Sequence, residues 1–297
     1  MSRSCNVGQA TISGSGRQGP ELIIQNANEL KIARLYHYQQ FNTDWIRQIL
    51  FDRKIHFSNP ENFNDPWDCR PYFRIPSADD QQGCERCIRW FDAVARKRTL
   101  HLDEQEHSRK LLQLRNDRTS FELQIQEFSK GMAREINRIY RVYCLSTKPD
   151  NTLMWSHYSK NHRGICLEFS CNNIVFGSAI KIQYSREYPK LDFTIDGSDP
   201  LGMLPLFVKS DEWGYEDEYR VIAQEEFQWP RADVLRTRRN LLKRPAGALS
   251  AVIMGCMMSQ SDAAQLREII DQQFPPCVAL KQAVRSRDRY SLSIVTC

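Results

Sequence analysis

The segment from Val142 to Phe169 constrains the fold more than any other part of this chain. Its apolar pattern predicts a strand, a turn at residues 149–151, a short helix over residues 153–158, and a second strand from residue 165 with alternating apolar positions. The connections carry many polar and aromatic side chains: Ser146, Thr147, Trp155, Ser156, His157, Tyr158, His162 and Arg163. Because a rigid scaffold usually displays its chemistry on its connections, this segment indicates a functional site.

The order of predicted strands and helices indicates a mixed α+β fold with a split, largely antiparallel central sheet. Residues 1–30 contain a glycine- and serine-rich run and lack apolar periodicity, so we expect a flexible leader there. Residues 31–297 form one predicted domain, with a helical insert at about residues 77–140, in which apolar residues recur at helical spacing. Residues 207–213 are also predicted to be helical.

Composition excludes several classes of protein. The chain has 297 residues, of which 41% are hydrophobic, enough for a sizeable core. It contains no run of about 18 apolar residues, so no membrane-spanning helix is predicted. The first residues lack a charged-then-apolar signal pattern, and the ten cysteines fit a reducing compartment, so we expect a cytoplasmic protein.

The net charge of +5 is modest, but the charges are unevenly distributed. Residues 206–226 are mainly acidic, and the segment that follows is basic. Its Lys and Arg residues are Arg231, Arg236, Arg238, Arg239, Lys243 and Arg244. A basic segment can hold nucleic acid or another phosphate-bearing acceptor, and the alternative is a solvated charged surface.

The motifs of several well-known sites are missing from the sequence. It has no G-x-x-x-x-G-K-[ST], no G-x-G-x-x-G leading into a helix, no H-E-x-x-H and no G-x-S-x-G. Cys84 and Cys87 form a single C-x-x-C and, with His101 and His107, could in principle supply four zinc ligands. A helix would also place the two cysteines on one face without any metal. We expect no metal site, and the alternative stays open.

An acidic pair, Glu216 and Glu218, stands beside Trp213 and Tyr215. If Glu218 begins a strand and Glu216 lies in the preceding turn, both carboxylates can point to the same side. Such a pair suits the stabilisation of an oxocarbenium-like centre, with one carboxylate balancing charge and the other polarising a nucleophile. The alternative is a solvated turn followed by a strand that pairs with Arg220.

Aromatic and histidine residues cluster in two places. His37 lies between Tyr36 and Tyr38 on a predicted strand, so its side chain points away from theirs. It could hydrogen-bond a ribose or an amide, or it could be a buried histidine of the core. Trp155 and Tyr158 could stack on a planar ring, or they could belong to the core.

A succession of short motifs resembles one large, mainly bacterial family of unknown function. These motifs are Leu35–Tyr38, Phe57–Pro60, Phe63–Pro66, Cys144–Thr147, Leu153–Tyr158, Arg163–Phe169, Lys209-Ser210 with Trp213, and Tyr215–Arg220. The resemblance extends from about Leu30 to Val295, and the F-N-D-P, M-W-S-H-Y and E-x-E-Y-R pieces are its most specific parts. It implies a family but no reaction.

A second resemblance does imply a reaction. The strand with His37, a helix ending at Ile49-Leu50, and a strand at Ile55–Phe57 are similar to the first half of the NAD-binding cleft of ADP-ribosyltransferases. The resemblance implies that His37 holds the nicotinamide ribose and that Ser58 or Tyr158 supports the nicotinamide. It also implies that Glu218 is the catalytic residue, with Glu216 orienting the acceptor.

We therefore expect an ADP-ribosyltransferase-like enzyme that acts on NAD and a nucleic-acid or protein acceptor, in a bacterial defence or toxin-type system. Its expected catalytic residues are Glu218, Glu216 and His37. Its expected cofactor contacts are Tyr36, Ser58, Trp155, His157, Tyr158 and Arg163. One alternative is a ligand-sensing module without turnover that uses Trp155, His157 and Arg163. Another is an NAD-independent nucleic-acid-processing enzyme that uses His37, His157 and Arg163. The oligomeric state stays open.

Overall fold

The computed structural model describes residues 11–12, 22–99, 101–192, 204–225, 234–273 and 277–297. Within these residues the α-helices are α1 Thr43–Arg47, α2 Gln81–Arg98, α3 Glu104–Asn116, α4 Arg118–Ile139, α5 Thr152–Tyr158, α6 Ile174–Gly177 and α7 Gln260–Asp271. A π-helical turn, Gln48–Asp52, follows α1, and 3-10 turns occupy Pro60–Asn62 and Asp211–Glu216.

The strands of the described residues are β1 Thr11–Ile12, β2 Leu22–Ile23, β3 Arg34–Gln39, β4 Lys54–His56, β5 Tyr72–Phe73, β6 Tyr140–Ser146, β7 Ile165–Ser170, β8 Ile180–Lys181, β9 Gln183–Ser185, β10 Lys190–Leu191, β11 Val208–Ser210, β12 Glu218–Glu225, β13 Arg236–Thr237, β14 Leu241–Lys243, β15 Leu249–Met254, β16 Ala279–Arg285 and β17 Leu292–Thr296.

The central sheet follows the order β13, β12, β6, β3, β7, β15, β16, β17, and β8 pairs with β12 beside this row. Its neighbouring strands are antiparallel except for β12–β13 and β15–β16. The largely antiparallel sheet and the separate helices confirm the predicted α+β class.

The sheet narrows between β3 and β6. These strands share the single Cα pair Tyr36–Ser146 in the described part of the chain, whereas β3 pairs with β7 at six positions and β6 with β12 at seven. The narrow junction divides the sheet into two halves that are each continuous.

The two faces of the sheet are covered differently. One face holds the main core, in which apolar side chains of β3, β6, β7 and β12 pack against α1, the π-helical turn and α7. The other face carries α5, whose Met154 and Trp155 pack on Tyr38, Cys166 and Ile253. Cross-strand partners point to the same side of a sheet, so the register shows which residues share this second face.

The helical insert consists of α2, α3 and α4, at the position predicted for it. Each helix begins at an aspartate, because the side chains of Asp80, Asp103 and Asp117 accept hydrogen bonds from backbone N–H groups of the first turn. The apolar faces of the helices form a core of their own around Phe121 and Ile125.

Residues 207–213 form no continuous helix, which makes that prediction wrong. Val208–Ser210 is a strand that pairs in parallel with β9, and the helical turn begins only at Asp211. The pairing with β9 is a long-range contact, and such contacts override local helical preference.

Most of the predicted leader lies outside the described residues. The last part of the leader, from residue 22, is described. There the N–H of Ala27 donates to the Ala179 carbonyl, and the Ala27 side chain is fully buried.

The basic segment is described only in part, because Arg231 lies outside the described residues. Arg244 is buried and donates to the Ile49 carbonyl, so it is no part of an exposed basic surface. In the described ranges, every helix is too short or too polar to cross a membrane.

Gly255, the first residue after β15, packs tightly against the backbone of the turn between α5 and β7. A Cβ atom added at Gly255 would lie 2.1 Å from the His162 carbonyl oxygen. We expect Gly255→Ala to lower the free energy of unfolding by about 1–3 kcal/mol, measured by urea denaturation, since backbone must move to admit the methyl group.

Gly131→Ala is the matched control for this substitution. Gly131 lies inside α4, where the nearest atom to an added Cβ is 3.8 Å away. This variant should gain about 1 kcal/mol from helix propensity. Equal stability of the two alanine variants would contradict the close packing at Gly255.

Candidate functional site

The candidate site is built around Arg220, a fully buried arginine on β12. Its guanidinium donates to both carboxylate oxygens of Asp68, at 2.9 and 2.6 Å, and to both of Glu218, at 2.7 and 3.0 Å. It also donates to the Leu206 carbonyl at 3.1 Å. A buried charge is costly unless it is paired and hydrogen-bonded, and Arg220 meets both conditions.

Lys209 extends this ionic network from β11. Its Nζ lies 2.6 Å from Glu216 Oε2, 3.2 Å from Glu218 Oε2 and 3.8 Å from Asp68 Oδ2. The ring of Trp213 covers it, with 4.8 Å between Nζ and the ring centroid. Three carboxylates thus face two cations, and the buried network carries one excess negative charge.

The turn before β12 places both glutamates on the same side. Asp217 adopts a left-handed conformation, with φ of 45°, between the 3-10 turn and the strand. Ser146 Oγ donates to the Glu216 carbonyl at 2.6 Å, and Asn151 Nδ2 donates to the Tyr215 carbonyl at 2.6 Å. Thr147 also donates to the Asp217 carboxylate. The polar residues after β6 therefore hold the acidic turn.

Two tyrosines complete the network. Tyr158, at the end of α5, donates from Oη to Glu216 Oε1 at 2.5 Å. Tyr184 Oη accepts from the backbone N–H of Glu218 at 2.9 Å. Tyr158 therefore fixes the Glu216 carboxylate, and Tyr184 fixes the backbone at Glu218.

The two glutamates differ in acidity. Burial alone would raise the pKa of Glu218, but Arg220 and then Lys209 outweigh burial and hold that pKa at about 2. The pKa of Glu216 is raised, first by burial and then by the negative charge of Glu218, against the opposing effect of Lys209. Glu218 is therefore the stronger acid of the pair, and Glu216 is the weaker.

A cavity of about 260 Å³ adjoins the network. Its lining residues are Asp65, Trp67, Asp68, Ser185, Arg186, Glu187, Tyr188, Pro189, Val208, Lys209 and Ser210. Asp68 and Lys209 belong both to the cavity wall and to the ionic network. With two aromatic side chains and several polar groups, the cavity suits a ring that also carries hydrogen-bonding substituents.

The structure brings together three of the residues predicted for the site, Glu216, Glu218 and Tyr158. Tyr36 lies on the same face of the sheet and packs in the apolar cluster that also includes Tyr158. His157 is exposed, and its ring lies 6.1 Å from that of Tyr215.

His37 does not meet Glu218. The register aligns Tyr36 with Ser146 and Ser146 with Glu218, so the side chain of His37 points to the opposite face. There its ring stacks on Tyr143 at 4.1 Å, and Nδ1–H donates to the Cys144 carbonyl at 2.8 Å. Burial lowers the pKa of His37 to about 4, so the ring is neutral at neutral pH.

Three further predicted residues lie away from the acidic pair. Trp155 is fully buried, and its Nε1–H donates to the Pro149 carbonyl at 2.8 Å, so it serves the core rather than a ligand wall. Ser58 pairs through its backbone with Val142, towards the far end of β6. Arg163 is exposed on the turn after α5.

The cysteines of the C-x-x-C motif lie on α2. Cys87 is buried in the core of the insert, and His107 pairs with Asp92 at 2.8 Å instead of approaching a cysteine. Among the described residues, no group of three or more His, Cys, Asp or Glu side chains could hold a metal ion.

The sequence prediction missed Asp68, Lys209 and Tyr184, and it treated Arg220 only as a surface partner. One signal for Arg220 was present, because a charge inside the apolar run of β12 indicates a buried ion pair. The F-N-D-P motif also has a role here. Its Phe63 ring lies 5.5 Å from the Arg220 guanidinium.

The fold and the site together define an α+β protein with a buried ionic network beside a ring-sized cavity. Residues 154–188 match the model of a family described as a protein of unknown function, DUF2971. This segment runs from α5 through β9 and contributes Tyr158 and Tyr184 to the network. The match supports the resemblance to a family of unknown function. No curated protein and no solved structure gives a significant match.

The low pKa of Glu218 makes stability depend on pH. Its folded pKa of about 2 lies below the ordinary value of 4.5, so its contribution is complete above pH 4.5 and is lost as the pH falls towards 2. We expect the free energy of unfolding to fall between pH 6 and pH 3, as measured by urea denaturation. In Glu218→Gln this decrease should be smaller than in the wild type by about 1–3 kcal/mol.

Glu212→Gln serves as the control, because Glu212 is exposed on the same turn. It should keep the pH dependence of the wild type. If Glu218→Gln loses as much unfolding free energy as the wild type between pH 6 and pH 3, Glu218 is not the group responsible for the pH dependence.

Proposed function

We propose that the protein is an ADP-ribosyltransferase-like enzyme, which breaks the bond between the nicotinamide and the ribose of NAD. The observation that carries this proposal is the pair Glu216 and Glu218, which share the ammonium group of Lys209 and have pKa values shifted in opposite directions. Enzymes use carboxylates with separated pKa values to divide proton transfer from electrostatic stabilisation.

In this proposal the reacting carboxylate is Glu216 rather than Glu218. As the bond to C1′ of the ribose breaks, its electron pair leaves with nicotinamide and the ribose becomes an oxocarbenium-like cation. The permanent negative charge of Glu218 and the excess charge of the network favour that cation. An acceptor hydroxyl group or water then attacks C1′, and the Glu216 carboxylate takes its proton.

The neighbouring residues support these two roles. Tyr158 and Lys209 each bind one oxygen of Glu216 and fix its orientation. The cavity beside Lys209 accepts the ring of the substrate, with Trp67 and Tyr188 as flat surfaces.

In this proposal the resemblance to ADP-ribosyltransferases rests on the acidic turn and not on His37. Tyr36 of β3 shares a face with Glu218, so a ligand bound on this face can meet Tyr36. The acceptor is a nucleic acid or a protein, in keeping with the basic segment that follows β12.

Nicotinamide release from NAD tests the proposal. We expect Glu216→Gln to lower the rate of release by about 100-fold or more, because the amide cannot accept the proton. Release is measured by chromatography, and thermal unfolding verifies that the variant is folded. Glu212→Gln, on the exposed part of the same turn, should retain the wild-type rate. A Glu216→Gln rate within a few fold of the wild type would reject the assignment.

One observation favours a second candidate, a ligand-sensing module without turnover. Each carboxylate oxygen of Glu216 and Glu218 already has a donor, from Tyr158, Lys209 or Arg220. A fully satisfied network is also what a rigid binding site requires. No comparable observation favours a histidine-based nuclease, since His37 is neutral and is turned away from this face.

A thermal-shift experiment separates the sensor from the enzyme. If the protein is a sensor, ADP-ribose should raise its melting temperature while NAD yields no nicotinamide at any enzyme concentration. If it is an enzyme, nicotinamide appears in proportion to the amount of protein. If ADP-ribose does not raise the melting temperature and NAD yields no nicotinamide, both candidates are contradicted.

A further inference from the structure

A second buried carboxylate, Glu168 on β7, organises two cations away from the acidic pair. Its Oε1 lies 2.9 Å from Arg34 Nη1, and its Oε2 lies 2.6 Å from Lys281 Nζ. Ser250 Oγ donates to Oε1 at 2.8 Å. The group thus contains one anion and two cations, and it carries one excess positive charge.

A β-bulge lies beside Glu168. The register of β15 against β7 shifts between the pairs Leu249–Phe169 and Ala251–Glu168, which leaves Ser250 as the extra residue of a β-bulge. Bulges re-aim single side chains and are frequent beside functional sites. Here the bulge directs the Ser250 hydroxyl group at Glu168.

The exposure of the three charged side chains is unequal. Glu168 is only 2% exposed, whereas the side chain of Arg34 is 56% exposed and that of Lys281 is 20% exposed. Arginine has five N–H donors and lysine three, so each cation keeps donors beyond those that Glu168 uses. The buried carboxylate therefore holds two positive groups that are both partly accessible to solvent.

This cationic group and the acidic pair lie on the same face. Cα pairing aligns Glu168 with Tyr36, Tyr36 with Ser146, and Ser146 with Glu218, in one row across four neighbouring strands. Three strand spacings separate Glu168 from Glu218, about 14 Å. Tyr36 lies between the two charge clusters in this row.

We infer that Arg34 and Lys281 form a phosphate-binding site for a nucleotide, with Glu168 and Ser250 as positioning residues. A planar guanidinium and a flexible ammonium group together suit the oxygens of a diphosphate. The assignment of the nucleotide to NAD rests on the proposed function. The phosphate site itself rests on the charge, exposure and alignment of the cluster.

Isothermal titration with ADP tests the site without any need for turnover. We expect Arg34→Gln and Lys281→Met each to weaken ADP binding about tenfold or more, because each removes a charge-assisted hydrogen bond to phosphate. Lys130→Met is the matched control, since it removes a lysine from an exposed ion pair with Glu127 on α4. It should bind ADP as the wild type does.

Inorganic pyrophosphate should compete with ADP for the wild type, which locates the contact at the phosphates rather than the base. In turnover, Arg34→Gln should raise the KM for NAD about tenfold and leave kcat close to the wild-type value.

The inference is overturned if the wild type does not bind ADP, or if both cation variants bind it as tightly as the wild type. If the wild type releases nicotinamide and the Arg34 and Lys281 variants bind ADP normally, the proposed function stands and the phosphate site is rejected. If ADP binding needs Arg34 and Lys281 but no nicotinamide is released, the phosphate site stands and the proposed function is rejected.

Discussion

The buried charge of Arg220 is the constraint from which the arrangement of the site follows. An arginine inside a strand is stable there only if carboxylates reach it, and one of them, Asp68, comes from a loop about 150 residues earlier in the chain. The ion pair therefore ties that loop to β12, and the Phe63 ring of the same loop packs against the guanidinium. Lys209 binds the two carboxylates that Arg220 holds and extends the network to Glu216, so β11 and the acidic turn take their positions from the same group of charges.

The difference between Glu216 and Glu218 is a consequence of this order of contacts. Glu218 touches both cations, and its carboxylate is stabilised as an anion. Among the described cations Glu216 contacts Lys209 alone, and its pKa is raised first by burial and then by the negative charge of Glu218. Two identical side chains, two positions apart, thus acquire different chemistry from their neighbours. The resemblance to ADP-ribosyltransferases implies the other assignment, with Glu218 as the catalytic residue, and spacing alone does not reveal which carboxylate meets the arginine.

The predictions made from the sequence were correct where local pattern decides the structure. Alternating apolar residues located β7. Glu216 and Glu218 reach the same side, as expected, but the left-handed turn at Asp217 brings them there. The predictions failed where long-range register decides. That His37 points away from Tyr36 follows from the sequence, but which of the two meets Glu218 depends on the pairing of β3 with β6 and of β6 with β12. Asp68 and Lys209 could not be recognised for the same reason, since their partners lie on other strands.

His37 has a structural role at the junction between β3 and β6. Beyond the pair Tyr36–Ser146, β3 and β6 separate, and a strand edge is left without its ladder partners. His37 Nδ1–H donates to the Cys144 carbonyl at this point, and its ring stacks on Tyr143 of the same strand, so the side chain replaces a missing backbone contact across the gap. The two charge clusters lie on opposite sides of this junction, Glu168 beyond β3 and Glu218 beyond β6. A contact that fixes the junction therefore also fixes the spacing between the clusters, and with it the length of any ligand that spans them.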